Sequence, residues 1–286
     1  MNIGYQGLAG AFSEAAAAAL FPQDTPLAWR TFAEVFANLE SGETGAAVVP
    51  VENSHAGVVA DVYDLLHVHR GVHVVGEVVV RVRHSLLGAK GASLDKIRVA
   101  RSHPQALAQC EEFLRRMNIQ PQVAYDTAGA AMEVAALGNP TVAAIASGRA
   151  ARQYGLQVLA SGIETSADNV TRFFALARED EDVNARIAPE HRTGTTKTSL
   201  VYTTKNEPGS LIRSLQPFAT AGIQLTKIES RPSRAAAWDY VFYLDFEGDP
   251  CATPGREALA LMRTCCQWVQ VLGTYPAAGT VLEPDL

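Results

Sequence analysis

The stretch that decides the fold is Ala46-Ala47-Val48-Val49-Pro50-Val51, an apolar run that ends at the polar residues Glu52-Asn53-Ser54. A short, nearly continuous apolar run of this kind is typical of a strand buried within a sheet. On both sides of it, β-rich runs such as 72–82 alternate with helical stretches from residue 1 to about residue 177. This alternation predicts an α/β fold in which helices cover both faces of the sheets.

Two helices in this part of the chain carry clear start signals. Thr31-Phe32-Ala33-Glu34 is a capping box, in which a threonine and a glutamate satisfy free N–H groups at a helix start, and Gly42 is suited to end that helix. Pro104 suits the first turn of another helix. The apolar residues of that helix recur at three- and four-residue spacing: Leu107, Cys110, Phe113, Leu114 and Met117.

The chain changes character after residue 178. The acidic residues 179–182 begin a segment with few apolar residues that runs to Lys197, and we interpret it as a linker. Beyond it we expect strands at 198–203, 224–230, 240–246 and 269–275, with helices at 210–220 and 256–266. The order βαββαβ predicts a ferredoxin-like module.

Length and composition limit the possible classes of protein. A chain of 286 residues exceeds the usual size of a single core, so we expect more than one domain. Apolar residues make up 48% and charged residues 19%, which indicates a globular rather than a disordered protein. The net charge of −6 comes without a basic block, so nucleic acid is not an expected partner.

The sequence gives no sign of a membrane segment or a metal site. No apolar run approaches the roughly twenty residues that cross a bilayer, and the start lacks a basic segment followed by an apolar one. We therefore expect no membrane partner and a cytoplasmic location. The four cysteines form no C-x-x-C pair, and His67, His69 and His73 are not spaced to share one face, so no metal is predicted.

Polar residues stand where predicted strands end and helices begin. They are Ser13, Asn53, Ser54, Ser102, His103, Thr127 and Ser147. The free N–H groups and the positive dipole end of a helix start suit carboxylates, and open α/β sheets bind ligands at the carboxyl ends of their strands. The sequence therefore predicts a site for a small anion. Each residue taken alone is also an ordinary N-cap, and that interpretation stays open.

The run Asn169-Val170-Thr171-Arg172-Phe173 opens an apolar, β-like segment with three polar residues. An arginine can bind a carboxylate through two N–H groups, and a neighbouring threonine adds a hydroxyl donor. We therefore predict that Arg172 anchors a substrate carboxylate and that Thr171 donates a hydrogen bond nearby. The alternative is a surface pair on an edge strand.

Taken as a set, these segments resemble the motifs of prephenate dehydratases. In the first module the matching segments are Val49-Pro50-Val51-Glu52-Asn53-Ser54, Ser102-His103-Pro104-Gln105 with Gln109-Cys110, and Asn169 to Phe173. In the second module, Pro208-Gly209-Ser210-Leu211, Glu229-Ser230-Arg231-Pro232 and Leu272-Gly273-Thr274-Tyr275-Pro276 resemble that family's regulatory ACT domain. Since no helical chorismate mutase segment precedes Met1, the resemblance is to the monofunctional form.

The resemblance implies conversion of prephenate to phenylpyruvate in phenylalanine biosynthesis, with loss of carbon dioxide and of the ring hydroxyl. Aromatisation of the ring drives this reaction, so no cofactor is expected. By motif position, the catalytic residue is Thr171, as donor to the leaving hydroxyl. The residues expected to bind substrate are Ser13, Asn53, Ser54, Ser102, Gln105, Gln109, Asn169, Arg172 and Phe173, the last as part of the pocket wall.

The resemblance also implies a fold like that of type 2 periplasmic binding proteins, with two α/β lobes around a cleft. We expect a catalytic module at 1–178, with lobe one at about 1–77 and 169–178 and lobe two at about 78–168. A linker at 179–197, an ACT domain at 198–276 and a tail at 277–286 follow. This arrangement places Thr171 and Arg172 at the hinge between the lobes.

In this family the ACT domain binds phenylalanine at a subunit interface. Phenylalanine is therefore the expected effector, and a homodimer or homotetramer is the expected assembly. The residues expected to line the effector site are Pro208, Gly209, Ser210, Leu211, Glu229, Ser230, Arg231 and Pro232. By hypothesis, phenylalanine stabilises a closed, less active oligomer because it binds that form preferentially.

Some positions depart from the family pattern. Leu8 and Ala11 replace a usual proline and threonine, and Val62 replaces a usual threonine. The segments 168–173 and 176–179 are also similar to arogenate dehydratases, which act on the transaminated substrate. Two alternatives therefore stay open: an arogenate dehydratase that forms phenylalanine directly, and a non-catalytic protein that binds small anions.

Overall fold

The computed structural model describes residues 1–233 and 240–283 of the chain. Residues 234–239, within the predicted ACT domain, and residues 284–286, at the end of the predicted tail, lie outside the described residues. The described residues form sixteen strands, nine α-helices and three short 3-10 helices. Within them, no helix combines the length and the apolar character that a membrane span requires.

The helices of the described residues are short. They are α1 (Phe12–Leu20), α2 (Phe32–Ser41), α3 (Ala60–Val68), α4 (Pro104–Gln109), α5 (Glu111–Arg116), α6 (Thr127–Leu137), α7 (Gly148–Tyr154), α8 (Ser210–Thr220) and α9 (Gly255–Cys265). The capping box of α2 is confirmed, because Thr31 Oγ1 accepts from the N–H of Glu34 and Glu34 Oε2 accepts from the N–H of Thr31, both at 3.1 Å. The single helix predicted after Pro104 is instead two helices, α4 and α5, because the helix breaks at Cys110.

The strands form three separate sheets. They are β1 (Asn2–Gln6), β2 (Thr25–Trp29), β3 (Ala46–Asn53), β4 (Gly57–Val58), β5 (Val72–Arg81), β6 (Ser85–Gly88), β7 (Val99–Ser102), β8 (Gln120–Val123), β9 (Val142–Ala146), β10 (Gln157–Ser161), β11 (Val170–Arg178), β12 (Thr196–Thr204), β13 (Leu225–Pro232), β14 (Tyr240–Glu247), β15 (Cys266–Pro276) and β16 (Val281–Leu282). Two of the sheets belong to α/β lobes and the third to a C-terminal module, so the predicted fold class is confirmed.

The first lobe is built on the sheet β16-β5-β11-β3-β1-β2, with β4 paired to β3. The apolar run that indicated a buried strand is β3, and its residues Ala46 to Val49 are fully buried. Strand β1 runs parallel to β3, whereas β11 runs antiparallel to both β3 and β5. Strand β11 therefore brings the chain back into the first lobe after the second lobe is complete.

The second lobe is built on the sheet β10-β6-β9-β7-β8. The chain enters it after β5 and leaves it before β11, so these two crossings form the hinge. The lobe boundary predicted near Val78 is too early, because β5 stays paired with β11 as far as the Arg81–Val170 pair. The physical reason is that β5 is a single long strand whose apolar residues are buried in the first sheet to its end.

The two lobes touch at the first glycine turn. Ser147 Oγ donates to the carbonyl oxygen of Gly10 at 2.6 Å, and the Tyr154 hydroxyl donates to that of Ala9 at 2.8 Å. A Cβ at Gly10 would lie 2.7 Å from the Cα of Ala150, and Gly10 has a φ of +91°. Only glycine combines this backbone conformation with so close an approach.

The C-terminal module has the predicted βαββαβ order. Its four strands form an antiparallel sheet in the order β13-β14-β12-β15, with α8 and α9 packed together. Phe218 of α8 and Met262 of α9 share a core with Leu200, Leu244 and Phe246 of the sheet. The helices therefore cover one face of this sheet.

The other face of the C-terminal sheet packs against the first lobe. Val201 and Tyr275 belong to the same buried core as Leu39 of α2. Strand β15 also approaches the backbone of β5, since a Cβ at Gly273 would lie only 2.1 Å from the carbonyl oxygen of Val74. The C-terminal module is thus joined to the first lobe by a buried interface as well as by the preceding segment.

We expect Gly273→Ala to destabilise the protein, because β15 or β5 must shift to make room for the added methyl group. Overpacking of this kind costs about 1–3 kcal/mol. Gly279→Ala is the matched control, because among the described residues no atom beyond its two chain neighbours lies within 4 Å of a Cβ at Gly279. Urea unfolding of both variants measures the difference, and equal free energies of unfolding would contradict the close approach.

Candidate active site

Strand β11 brings Thr171 and Arg172 to opposite faces of the first sheet, because consecutive side chains of a strand alternate in direction. The Thr171 hydroxyl meets Asn53 at the end of β3. The Arg172 guanidinium meets Asp245 of the C-terminal sheet. The two residues that the sequence predicts for one pocket therefore lie in two different environments.

Asn53 fixes the position of the Thr171 hydroxyl. Its Oδ1 accepts from the N–H of His55 at 3.0 Å and from that of Ala56 at 2.9 Å. Since an amide oxygen can only accept, these two donors turn Nδ2 to the other side. There Nδ2 donates to Thr171 Oγ1 at 3.0 Å and to Asn169 Oδ1 at 2.8 Å. Asn53, Asn169 and Thr171 are all buried.

Within the described residues, the Thr171 hydroxyl is engaged only as an acceptor. A hydroxyl both accepts and donates, and Thr171 Oγ1 accepts from Asn53. Among residues 1–233 and 240–283, no acceptor is found for its O–H. The Asn53 N–H also stabilises negative charge on Oγ1, so Thr171 is a preorganised hydrogen-bond donor.

A cavity of about 500 Å³ lies between the lobes beside this cluster. The residues that line it are His55, Ala108, Gln109, Glu111, Glu112, Arg115, Glu164, Thr165, Ser166 and Asn169. Asn169 is 1% exposed, and its Nδ2 has no hydrogen-bond partner within the described part of the chain. The Asn169 amide therefore offers a second free donor, and Asn53 adjoins the cavity through its contact with Asn169.

Three more predicted residues lie close to this cluster. Gln105 Nε2 lies 3.5 Å from Asn53 Oδ1, and Gln109 lines the cavity. Ser54 Oγ accepts from the N–H of Val170 at 3.0 Å, which holds the end of β3 to the start of β11. The structure thus brings together six predicted site residues: Asn53, Ser54, Gln105, Gln109, Asn169 and Thr171.

The structure does not bring three other predicted residues to this cavity. Ser102 is fully buried and donates to the carbonyl oxygen of Ile145 at 2.6 Å, so it ties β7 to β9. Phe173 is 2% exposed and belongs to the core of the first lobe rather than to a pocket wall. Ser13 lies in the first turn of α1 and does not line the cavity, and the Glu14 carboxylate already accepts from the N–H of Gly10 there.

Several helix starts carry ordinary caps. His103, Asp126 and Ser147 each accept a hydrogen bond from a backbone N–H in the first turn of α4, α6 and α7, respectively. The N–H groups that we expected to hold an anion are therefore partly satisfied within the chain. At these helices the alternative interpretation as N-caps is correct.

Arg172 lies in a buried ion-pair cluster and not in the cavity. Its Nε donates to Glu77 Oε2 at 2.6 Å, its Nη1 to Asp245 Oδ2 at 2.7 Å and its Nη2 to the Tyr275 hydroxyl at 3.0 Å. Burial alone would raise the pKa of Glu77, but Arg172 and Lys197 outweigh burial and lower it. The structure thus places Arg172 away from the cavity where it was expected to anchor a substrate carboxylate, and protein groups already occupy its guanidinium.

His84 is a site residue that the sequence did not single out. It lies at the hinge, 2% exposed, with its Nε2 2.8 Å from Gln109 Oε1 and its ring edge-on to Phe12. Burial lowers the pKa of His84, so the ring is neutral. Because Gln109 Oε1 can only accept, Nε2 carries the proton. The sequence signal for His84 is its place directly after the apolar run of β5.

The residues predicted to bind an effector lie beside two different cavities. Ser210 and Leu211, at the start of α8, line a cavity of about 140 Å³. Arg231 and Pro232, at the end of β13, line a cavity of about 660 Å³ against the first lobe, where Arg231 Nε donates to Asp64 Oδ1 at 3.3 Å. Among the described residues of one chain, the two predicted segments therefore line different cavities.

Residues 3–181 match the family model of prephenate dehydratase, which is more than half of the 286-residue chain. The chain belongs to the prephenate dehydratase family. A relative from Arabidopsis thaliana, arogenate dehydratase/prephenate dehydratase 2, is 40% identical over 294 residues, which cover 99% of this chain and 74% of that protein.

Solved structures extend this family likeness beyond the matched region. Prephenate dehydratase from Arthrobacter aurescens, in complex with L-Phe, has a TM-score of 0.86 at 29% identity and covers 96% of this chain and 90% of that one. The quorum-quenching acylase GqqA has a TM-score of 0.88 at 34% identity and covers 98% of this chain and 99% of that one. The prephenate dehydratase likeness therefore includes the C-terminal module.

The predicted cytoplasmic location is contradicted by the relatives within the prephenate dehydratase family. Several relatives from Arabidopsis thaliana are chloroplastic proteins.

We expect the free energy of unfolding to fall as the pH drops below about 6.5, because the unfolded chain takes up a proton on His84 that the buried ring does not. The pKa of His84 is lower in the folded state. The contribution of His84 to the free energy of unfolding is therefore complete above that pH and decreases as the pH falls below it. His84→Gln should reduce this slope, by at most about 1.4 kcal/mol per pH unit for a single proton. Urea unfolding across this range measures the slope, and parallel curves for wild type and variant would contradict a neutral, buried His84.

Proposed function

We propose that this protein catalyses the decarboxylating dehydration of prephenate to phenylpyruvate, with Thr171 as donor to the leaving hydroxyl. The observation that carries the proposal is the Thr171 O–H, which Asn53 fixes and which has no acceptor among the described residues. The cavity beside Asn169 supports it, because it lies between the two lobes. Membership of the family supports the type of reaction.

The reaction needs little from the protein beyond positioning and stabilisation of charge. The bond between the ring and its carboxylate breaks, its electron pair enters the ring, and the bond between the ring and its hydroxyl breaks, with the departing oxygen taking up a proton to give water. One prephenate and one proton thus give phenylpyruvate, carbon dioxide and water. Negative charge builds up on the leaving oxygen, and the fixed Thr171 O–H stabilises that charge in a cleft that excludes water.

Arg115, rather than Arg172, is the proposed partner of a substrate carboxylate. It lines the cavity from α5 of the second lobe, and no ion pair of Arg115 is found in residues 1–233 and 240–283. Asn169 Nδ2 offers a donor from the first lobe. A substrate carboxylate between Arg115 and Asn169 would receive a charge-assisted hydrogen bond and a neutral one.

The acidic lining of the same cavity favours arogenate as a second candidate substrate. Glu111, Glu112 and Glu164 line it together with Arg115. Carboxylates attract the ammonium group that arogenate carries where prephenate has a keto oxygen. The relative from Petunia hybrida that is named arogenate dehydratase 2 agrees with this candidate. The ratio of kcat/KM for the two substrates decides between them.

We further propose that residues 1–178 form the catalytic module and that residues 198–276 form an ACT domain with phenylalanine as its effector. The βαββαβ order supports the second assignment, as does the relative from Arthrobacter aurescens in complex with L-Phe. A homodimer or homotetramer would allow the start of α8 in one subunit to approach β13 of another. Such an assembly would unite the two predicted effector segments.

Purified protein should convert prephenate, arogenate or both, as followed by the absorbance of the aromatic product. Thr171→Ala should lower kcat about 100- to 1000-fold, the usual effect of removing one such donor. Thr171→Ser keeps the hydroxyl and serves as the matched control, with kcat much closer to wild type. A folded Thr171→Ala variant with wild-type kcat would contradict the role of Thr171, whereas wild-type protein inactive on both substrates would contradict the proposed reaction.

Arg115→Met should raise KM for substrate about 10- to 100-fold, because a hydrogen bond to a charged group is lost, and should change kcat much less. Arg116→Met is the matched control. The Arg116 guanidinium lies 5.5 Å from the centre of the Phe113 ring and does not line the cavity. Steady-state kinetics of both variants test the assignment, and equal KM values would refute Arg115 as the carboxylate partner.

A further inference from the structure

Arg172 is bound directly to two strands of the C-terminal sheet and indirectly to a third. Its guanidinium donates to Asp245 on β14 and to the hydroxyl of Tyr275 on β15. Ser199 on β12 connects these two acceptors, because its Oγ lies 2.5 Å from Asp245 Oδ1 and 2.5 Å from the Tyr275 hydroxyl. A change in the placement of this sheet therefore acts directly on Arg172.

Glu77 on β5 adds a second link between the first lobe and the C-terminal module. Its Oε2 accepts from Arg172, and its Oε1 accepts from Lys197 Nζ at 2.7 Å and from the N–H of Ala278 at 2.9 Å. Lys197 belongs to β12, and Ala278 follows β15. The Glu77 carboxylate is thus bound by a residue of the first strand of the C-terminal module and by one that follows its last strand.

On the neighbouring strand β3, as on β11, consecutive side chains face the C-terminal sheet and the site, respectively. Opposite Arg172 lies Glu52, and opposite Thr171 lies Asn53. Glu52 Oε1 pairs with Lys227 Nζ of β13 at 2.9 Å, while Asn53 holds the Thr171 hydroxyl. On both strands, therefore, one residue contacts the C-terminal sheet and its neighbour belongs to the site.

Burial makes the cluster a rigid connection. The side chains of Arg172, Glu77 and Asp245 are 12%, 2% and 4% exposed. Separating such partners would leave an uncompensated charge away from water, which is strongly unfavourable. Arg172 and the C-terminal sheet therefore move together.

Thr171 and Arg172 are consecutive residues of β11 and are held in the same stretch of strand. Between Arg172 and Phe173 the pairing of β11 with β3 changes register, because β3 carries the extra residue Val51 there. The pairing of β11 with β5 continues without a shift from Val170 to Ala175. A displacement of Arg172 therefore displaces Thr171 with it.

We propose that Arg172 is a positioning residue, through which the placement of the C-terminal sheet sets the position of the Thr171 hydroxyl and thereby the rate of the reaction. This inference rests on the proposed function and names the route by which the C-terminal module regulates that site. Arg172 itself does not touch the substrate.

The test breaks the connection from the side of the C-terminal sheet and leaves Arg172 and the cavity intact. Asp245→Asn removes the charge at constant shape, and Tyr275→Phe removes only the hydroxyl. In each variant kcat should fall about tenfold, as expected when a catalytic donor is displaced, with KM within about twofold of wild type. Calorimetry should show that phenylalanine still binds, while its effect on activity is weaker than in wild type.

Arg178→Met is the matched control. Arg178 lies on the same strand and pairs with Asp180 and Glu181, without a contact to the C-terminal sheet among the described residues. Its kcat should match wild type. Wild-type kcat in folded Asp245→Asn and Tyr275→Phe would overturn the proposal, and so would an equal loss in Arg178→Met.

Hydrogen exchange separates this inference from the proposed function. The backbone N–H groups of residues 170–172 should exchange faster in Asp245→Asn than in wild type, and those of the second lobe should not. This result supports the connection even in a protein that proves inactive on prephenate and arogenate. Unchanged exchange at residues 170–172 overturns it, whatever the activity.

Discussion

The antiparallel pairing of β3 and β11 is the constraint on which the rest of the structure depends. Each strand presents alternate side chains to two different surroundings, the hydrogen-bond cluster of Asn53, Thr171 and Asn169 on one face and the C-terminal sheet on the other. A residue on either strand cannot turn to the other face without a one-residue slip of the whole pairing. The site and the interface with the C-terminal module are therefore specified by the same register.

The interface tolerates buried charge because the charges balance. Three cations, Arg172, Lys197 and Lys227, contact three carboxylates, Glu52, Glu77 and Asp245. Burial raises the pKa of the Tyr275 hydroxyl well above its usual range, and Asp245 adds to this, so Tyr275 stays neutral beside the cluster. A planar guanidinium can reach three acceptors at once, whereas a lysine is a single point charge, which explains an arginine at position 172.

Local signals predicted much of this fold. The capping box at Thr31 and the apolar run of β3 depend on residues near in sequence, and both predicted elements are present. The βαββαβ order also follows from short periodic runs. Six of the predicted site residues converge because they lie at the end of β3, at the start of β11 and on α4, which the topology brings together.

The sequence could not show which face of β11 each polar residue occupies. Alternation places Thr171 and Arg172 on opposite faces, but whether a face meets a ligand or another module depends on contacts far along the chain, such as those of Asp245. For the same reason the lobe boundary was predicted too early, since the end of β5 is set by its pairing with β11. His84 escaped notice because a single histidine has many uses, and its partner Gln109 lies 25 residues away.

The occupation of Arg172 by protein carboxylates has a consequence for how substrate is held. If the charge for a substrate carboxylate comes from Arg115, it comes from α5 of the second lobe, while the Thr171 and Asn169 donors belong to the chain that returns to the first lobe. Substrate then bridges the lobes, and its binding energy favours the closed arrangement in which the Thr171 hydroxyl is shielded from water. An arginine on β11 could not do this, because it would bind the substrate to the same lobe as Thr171. In this arrangement the charged anchor and the hydroxyl donor lie on different lobes. A substrate that contacts both therefore favours closure of the cleft as it binds.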